Sequence, residues 1–145
     1  MLKKIKILFI IFIFLNFSKS IISAENFFEQ GQQKYKEKKF EDSKFLFQRS
    51  IIFDPKDARS YLYLGKIYKL EKNEKEEEKN INTVLLLEPK NEEAIYILIQ
   101  IQLKRSNYLK VKELSKKFSK VCKNLCEKNK SILESLENLD PKNDS

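Results

Sequence analysis

The sequence predicts an all-α fold, a short solenoid of antiparallel helix pairs, on three observations. The two glycines, Gly31 and Gly65, stand 34 residues apart, and so do Pro55 and Pro89. Two independent markers with one period point to stacked repeats. Two Gly and three Pro in 145 residues are too few for a turn-rich fold, which disfavours a β-sandwich, a dinucleotide fold and a glycine-cradled phosphate site. Between the prolines, apolar and small residues follow helical spacing, as in Phe40, Ser43, Phe47 and Ile51, and again in Ile95, Leu98, Ile99 and Leu103.

The chain starts with the features of a secretory signal peptide over residues 1–24. Lys3, Lys4 and Lys6 precede an unbroken apolar run, Ile7 to Leu15, and a polar stretch ends in the small residue Ala24. An uncleaved anchor would need about 20 mostly apolar residues, and Asn16, Ser18 and Lys19 interrupt too soon. Cleavage after Ala24 removes four lysines and no acid, taking the formal charge from +8 to +4. The expectation is an exported protein, periplasmic or secreted in a bacterial-type envelope, with no membrane span after cleavage. So modest a charge on a Lys/Glu-rich surface predicts no nucleic-acid partner.

Residues 25–145 divide into repeats of about 24–57, 58–91 and 92–125, with 126–145 as a capping helix and tail. Around the prolines, Ile51-Ile52-Phe53-Asp54-Pro55-Lys56-Asp57 is matched by Leu85-Leu86-Leu87-Glu88-Pro89-Lys90-Asn91. Around the glycines, Phe27, Phe28 and Gly31 are matched by Tyr61, Leu62 and Gly65. In the second copy Tyr61, Leu64, Gly65 and Tyr68 keep the spacing aromatic-x2-Leu-Gly-x2-Tyr, and in the first copy Ser43, Phe47, Ser50 and Pro55 follow as small, large, small and proline. On these residues the chain resembles the tetratricopeptide-repeat (TPR) family.

Physical chemistry accounts for the same types. Glycine inside a helix costs about 1 kcal/mol relative to alanine, so its recurrence at one phase predicts a neighbouring helix backbone passing close to Gly31 and Gly65. Proline cannot extend a helix interior, so Asp54-Pro55 and Glu88-Pro89 mark helix boundaries. The expected core includes Phe47, Leu64, Leu85, Leu98 and Leu114. The third copy is degraded: Ile99 stands at the glycine place and Lys123 at the proline place. Leu139-Asp140-Pro141-Lys142-Asn143 then repeats the proline phrase after an extra helix. Glu74 and Glu77 occupy places that the family gives to an aromatic and a small residue, so the fourth helix is expected to start late or pack loosely. The run Glu71 to Lys79 reads as a solvated face with a Glu71/Lys75 pair; an acidic docking strip is the alternative.

What the resemblance implies is a concave face that binds a peptide or a partner's helix. Its inward places are Phe28, Gln32, Tyr35 and Lys36 in the first repeat. They are Leu62, Lys66, Lys69 and Leu70 in the second, and Tyr96, Gln100, Leu103 and Lys104 in the third. A second reading stays open, with Phe28, Leu62 and Tyr96 as contacts with neighbouring helices and the lysines as ordinary surface. The lysines would favour a partner with acidic residues. At the places of the two-carboxylate clamp shared by the family's chaperone-binding members stand Phe28, Gln32, Tyr63, Glu93 and Ile97, so the clamp is absent and a cytosolic chaperone's C-terminus is not an expected ligand.

Near the C-terminus Val111, Leu114, Phe118, Val121 and Leu125 form an amphipathic stripe. It is expected to pack on the preceding helix, a homodimer seam remaining open. Cys122 and Cys126 are four apart; a disulfide within the chain, one between chains, and buried free thiols are all open. With no histidine and two cysteines, neither imidazole catalysis nor a four-ligand zinc site is expected, and no Ser, acid and base set has a justifying spacing. No cofactor, metal or catalytic residue is predicted. The function expected is a non-enzymatic adaptor of the cell envelope. The alternative is a structural or oligomeric component assembling through the C-terminal helix.

Overall fold

The computed structural model describes residues 23–139. The expected leader, Ser23 and Ala24 apart, and the repeated phrase at Pro141 lie outside the described residues. Seven helices and no strand occupy the described chain: α1 Ala24–Lys36, α2 Phe40–Phe53, α3 Ala58–Leu70, α4 Glu74–Leu87, α5 Glu92–Lys104, α6 Tyr108–Val121 and α7 Cys126–Leu139. Each helix packs on its neighbours in sequence, with the two members of a pair in the closest association. The all-α solenoid expected from the sequence is therefore the fold, three pairs followed by one more helix. That last helix begins at Cys126, 34 residues after Glu92, in the register of a first helix.

Local chemistry repeats with the same period. Ser23, Asp57 and Asn91 cap α1, α3 and α5, their side-chain oxygens accepting the backbone N–H of Asn26, Arg59 and Ala94. Asn73 and Asn107 do the same for α4 and α6. Between the helices of each pair one residue adopts a left-handed backbone: Lys38 (φ 60°), Lys72 (φ 58°) and Ser106 (φ 56°). There the N–H of Lys39, Asn73 and Asn107 reaches back to the carbonyls of Lys34, Tyr68 and Gln102 at 2.9, 2.9 and 3.0 Å, satisfying helix-end acceptors.

The core has two parts. Phe28, Phe47, Leu64 and Ile67 fill the first, in the N-terminal half of the solenoid. Ile81, Val84, Ile95, Leu98, Val111, Leu114 and Phe118, with Ile132 and Leu136 of α7, belong to the second. Leu85, expected in the core, only borders it, because Ile81 and Val84 carry the buried face of α4. The neighbours of the glycines also differ from expectation. A β-carbon at Gly31 would stand 2.8 Å from the Phe47 ring, and one at Gly65 2.7 Å from the tip of Ile81. The close approach is thus made chiefly by a large side chain, with the Glu77 carbonyl at 3.6 Å. Ser43 Oγ donates to the Gly31 carbonyl at 2.8 Å, which explains the small residue there.

Helix α4 starts on schedule rather than late, because Asn73 caps it and Glu74, Glu76 and Glu77 complement the positive end of the helix dipole. Glu77 is 2% exposed at the place of Ser43 and Val111. Burial pushes its carboxyl above the ordinary range, against the opposing pull of Lys104 and Lys69. Its neighbours in the acidic run are committed across helices: Glu71 pairs with Lys44 instead of Lys75, and Glu74 and Glu78 both hold Arg105. An acidic docking strip is therefore not left over.

Candidate functional site: the concave groove

The first helices of the repeats line a cleft of about 460 Å³. Tyr35 comes from α1 and Lys66 and Lys69 from α3; Glu93, Tyr96, Ile97 and Gln100 come from α5, and Leu125 from the loop before α7. Its polar groups are joined in short relays. Gln32 Nε2 donates to the Tyr63 hydroxyl oxygen at 3.1 Å, Lys69 Nζ to Gln100 Oε1 at 2.8 Å, and Gln100 Nε2 to the Tyr96 hydroxyl oxygen at 3.0 Å. Lys66 Nζ lies 2.8 Å from Glu93 Oε1 and 4.8 Å from the centre of the Tyr63 ring. The groove thus combines tyrosine rings with the amides of Gln32 and Gln100 and paired charges, and Lys66 is already neutralised by Glu93.

The expected groove residues separate by register. One place after the glycine, Gln32, Lys66 and Gln100 are half-buried and point their polar atoms into these relays. Three places before it, Phe28 and Leu62 are core residues. Phe28 packs on Phe47 at 5.7 Å and on Tyr63 at 5.9 Å, beneath the Arg59 guanidinium at 4.1 Å. Arg59 in turn ties the first two repeats together by holding Glu25, one period back, and Asp57. Tyr96, at the same place in the third repeat, is half-buried, its ring 6.1 Å from that of Phe118 and its hydroxyl in the relay. Leu103 is partly buried against the core, and Lys36, Leu70 and Lys104 are exposed near the ends of their helices. Tyr35 and Lys69 line the cleft.

Tyr63, Glu93 and Ile97 take part in the groove although the inward register omitted them. Tyr63 is its aromatic hub, stacked on Phe47 at 4.8 Å and meeting Tyr35 edge-on at 5.1 Å. The signal available was the clamp comparison itself, which names all three as facing the family's ligand.

At the far end the stripe of α6 is used internally. Val111, Leu114 and Phe118 are buried within the chain, which leaves no seam of these residues for a second copy. Cys122 and Cys126 are joined, their α-carbons 5.2 Å apart, and the helix that carries the stripe ends at Val121, short of Leu125. Among the described residues no group of three His, Cys, Asp or Glu is placed to hold a metal ion, and no helix is long and apolar enough to cross a membrane.

No family model and no curated protein sequence matches the chain. Solved structures do. The type III secretion chaperone SycD of Yersinia enterocolitica, in complex with a peptide of the translocator YopD, is 16% identical with a TM-score of 0.73, over 81% of this chain and 94% of that one. PcrH of Pseudomonas aeruginosa is 15% identical with a TM-score of 0.69, over 81% and 98%. The Sgt2 TPR domain of Aspergillus fumigatus is 12% identical with a TM-score of 0.67, over 84% and 87%. With the 34-residue period in helix starts, caps and turns, these likenesses identify the fold of the chain as that of the tetratricopeptide-repeat proteins.

Proposed function

We propose that the chain is a non-enzymatic binding module that takes a segment of a partner protein along its concave groove, as an exported protein of a bacterial-type envelope. One observation carries the reading: a single cleft draws side chains from α1, α3 and α5, with the Tyr35 and Tyr96 rings, the Gln100 amide and the charged groups of Lys66, Lys69 and Glu93 at its surface. Such a surface offers contact area at low entropic cost together with hydrogen-bonding groups for a peptide backbone. SycD with its YopD peptide and PcrH with the chaperone binding region of PopD support it by likeness of fold. The leader features and the joined cysteines support export.

Apolar and aromatic contacts set the affinity. An acidic partner would have to displace Glu93 from Lys66 and Gln100 from Lys69, and exposed ion pairs contribute only about 0–1 kcal/mol each. Linear peptides selected from a random library on the purified protein test the reading. Tyr96→Ala should weaken the selected peptides more than Lys66→Ala, and peptides indifferent to Tyr96→Ala and Tyr63→Ala would overturn the groove as the site. Leu62→Ala cannot serve in this test, since Leu62 is buried.

A further inference from the structure

The start of α7, the fourth in the register of first helices, departs from the other three in a coordinated way. Ser23, Asp57 and Asn91 each cap their own helix, and the next place in that register is Leu125, which has no acceptor. What holds the segment before α7 is a side chain of a neighbouring helix. The Glu92 carboxylate takes the backbone N–H of Lys123 at 2.5 Å, of Asn124 at 3.1 Å and of Leu125 at 3.4 Å. At the places equivalent to Glu92 the earlier repeats have Ala24 and Ala58, and at the places equivalent to Lys123 the first two repeats have Pro55 and Pro89. Proline has no N–H to give. Glu92 and Lys123 are thus two parts of one arrangement, an anchor for the loop before α7, and Leu125 is the loop residue that it holds. Held in that loop, Leu125 lines the groove with Tyr96 and Ile97.

The disulfide fixes the same loop. In an unbroken helix the β-carbons of residues four apart are about 5–6 Å apart, whereas a disulfide needs about 3.5–4.5 Å. Closing Cys122 to Cys126 is therefore incompatible with α6 running on through Leu125, which the apolar stripe would otherwise favour. The bond holds the chain in the broken conformation, with Cys122 extended (φ −61°, ψ 144°) and α7 starting at Cys126.

We infer that Leu125 is a partner-contacting residue that supplies the apolar end of the groove, positioned there by the Glu92 carboxylate and the Cys122–Cys126 disulfide. The inference rests on the groove reading above. It adds a partner property, an apolar side chain at the end of the bound segment nearest α7, and a redox dependence. Reduction by a dithiol takes two electrons and two protons into the bond, giving two thiols and the dithiol's cyclic disulfide. It permits α6 to extend, which carries Leu125 away from the cleft.

The test uses a library-selected peptide whose binding Tyr96→Ala weakens roughly tenfold or more, so that it is known to occupy the groove. Leu125→Ala should weaken that peptide roughly five- to tenfold. Dithiothreitol, or Cys122→Ser with Cys126→Ser, should weaken it similarly, and Leu125→Ala made in the double-serine protein should add little further loss. Dithiothreitol should have no effect on the double-serine protein. The methyl resonances of Leu125 should shift on reduction while those of Leu64, in the other core cluster, stay. If Leu125→Ala and reduction leave the affinity within about twofold, the inference fails while the groove stands. If no selected peptide responds to Tyr96→Ala, the groove reading fails and takes the inference with it.

Discussion

Lys38 and Lys72 adopt the same left-handed backbone, φ 60° and 58°, at the same turn of successive repeats. The conformation costs a residue with a β-carbon about 1–2 kcal/mol. Glycine adopts it freely, offset by the greater entropy that glycine loses on folding. Lys38→Gly and Lys72→Gly should each stabilise the protein by up to about 1 kcal/mol, read as a raised urea midpoint at unchanged slope. A lowered midpoint for both would show that the lysine side chains contribute more than the turn strain removes.

These turns also show where the sequence stops being legible. The period was readable because Gly31/Gly65 and Pro55/Pro89 are rare residues at places where nothing else fits as well. The turns share that period but are filled by Lys38, Lys72 and Ser106, types with no left-handed signature. In the groove, Gln32, Lys66 and Gln100 were reached through the resemblance to the repeat family, which gives the place after the glycine to the concave face. Phe28 and Tyr96 occupy one place yet differ, because a phenyl ring can be closed over by Arg59 while a tyrosine hydroxyl keeps a polar partner. The apolar stripe through Leu125 is a true helical pattern. Periodicity carries no information about a covalent bond that breaks it.

The glycines should respond unequally to alanine. At Gly31 the new methyl would meet Phe47, a rigid ring fully buried and stacked on Tyr63. At Gly65 it would meet the terminal methyl of Ile81, which can turn aside. Overpacking costs about 1–3 kcal/mol, against a helix-propensity gain of about 1 kcal/mol. Gly31→Ala should lower stability by about 1–2 kcal/mol and Gly65→Ala should fall within about 1 kcal/mol of the parent. Chemical denaturation in which Gly65→Ala is the more damaging would refute this account of the contacts.

Cleavage after Ala24 would cut into α1. It would remove Ser23, whose Oγ accepts the Asn26 N–H at 3.3 Å, and the Ala24 carbonyl, which accepts Ser50 Oγ at 3.0 Å. It would also place a new ammonium group at the positive end of the helix dipole. A chain beginning at Glu25 should therefore be less stable than one beginning at Ser23 by about 0.5–2 kcal/mol, measured by melting the two side by side. Equal stability would mean that the first turn of α1 contributes nothing to the fold.

Glu77 offers a prediction whose sign depends on pH. Its carboxyl is raised above the ordinary 4.5 because burial disfavours the charged form, and Glu74 adds to this while Lys104 and Lys69 oppose it. A raised folded-state value means that folding favours the protonated acid. Below the unfolded value both states are protonated and there is no penalty. The penalty grows as the pH rises from there through the folded value, and stays constant above it. Glu77→Gln keeps the size and removes the charge. The variant should melt a few degrees higher than the parent near neutral pH, with the gap closing as the pH falls below about 4.5. The small residues at the equivalent places, Ser43 and Val111, argue the same way, since both are fully buried with no charge to desolvate. If the parent melts higher at neutral pH, then the attraction of Lys69 and Lys104 outweighs desolvation and the buried carboxylate is a stabilising ion of the second repeat.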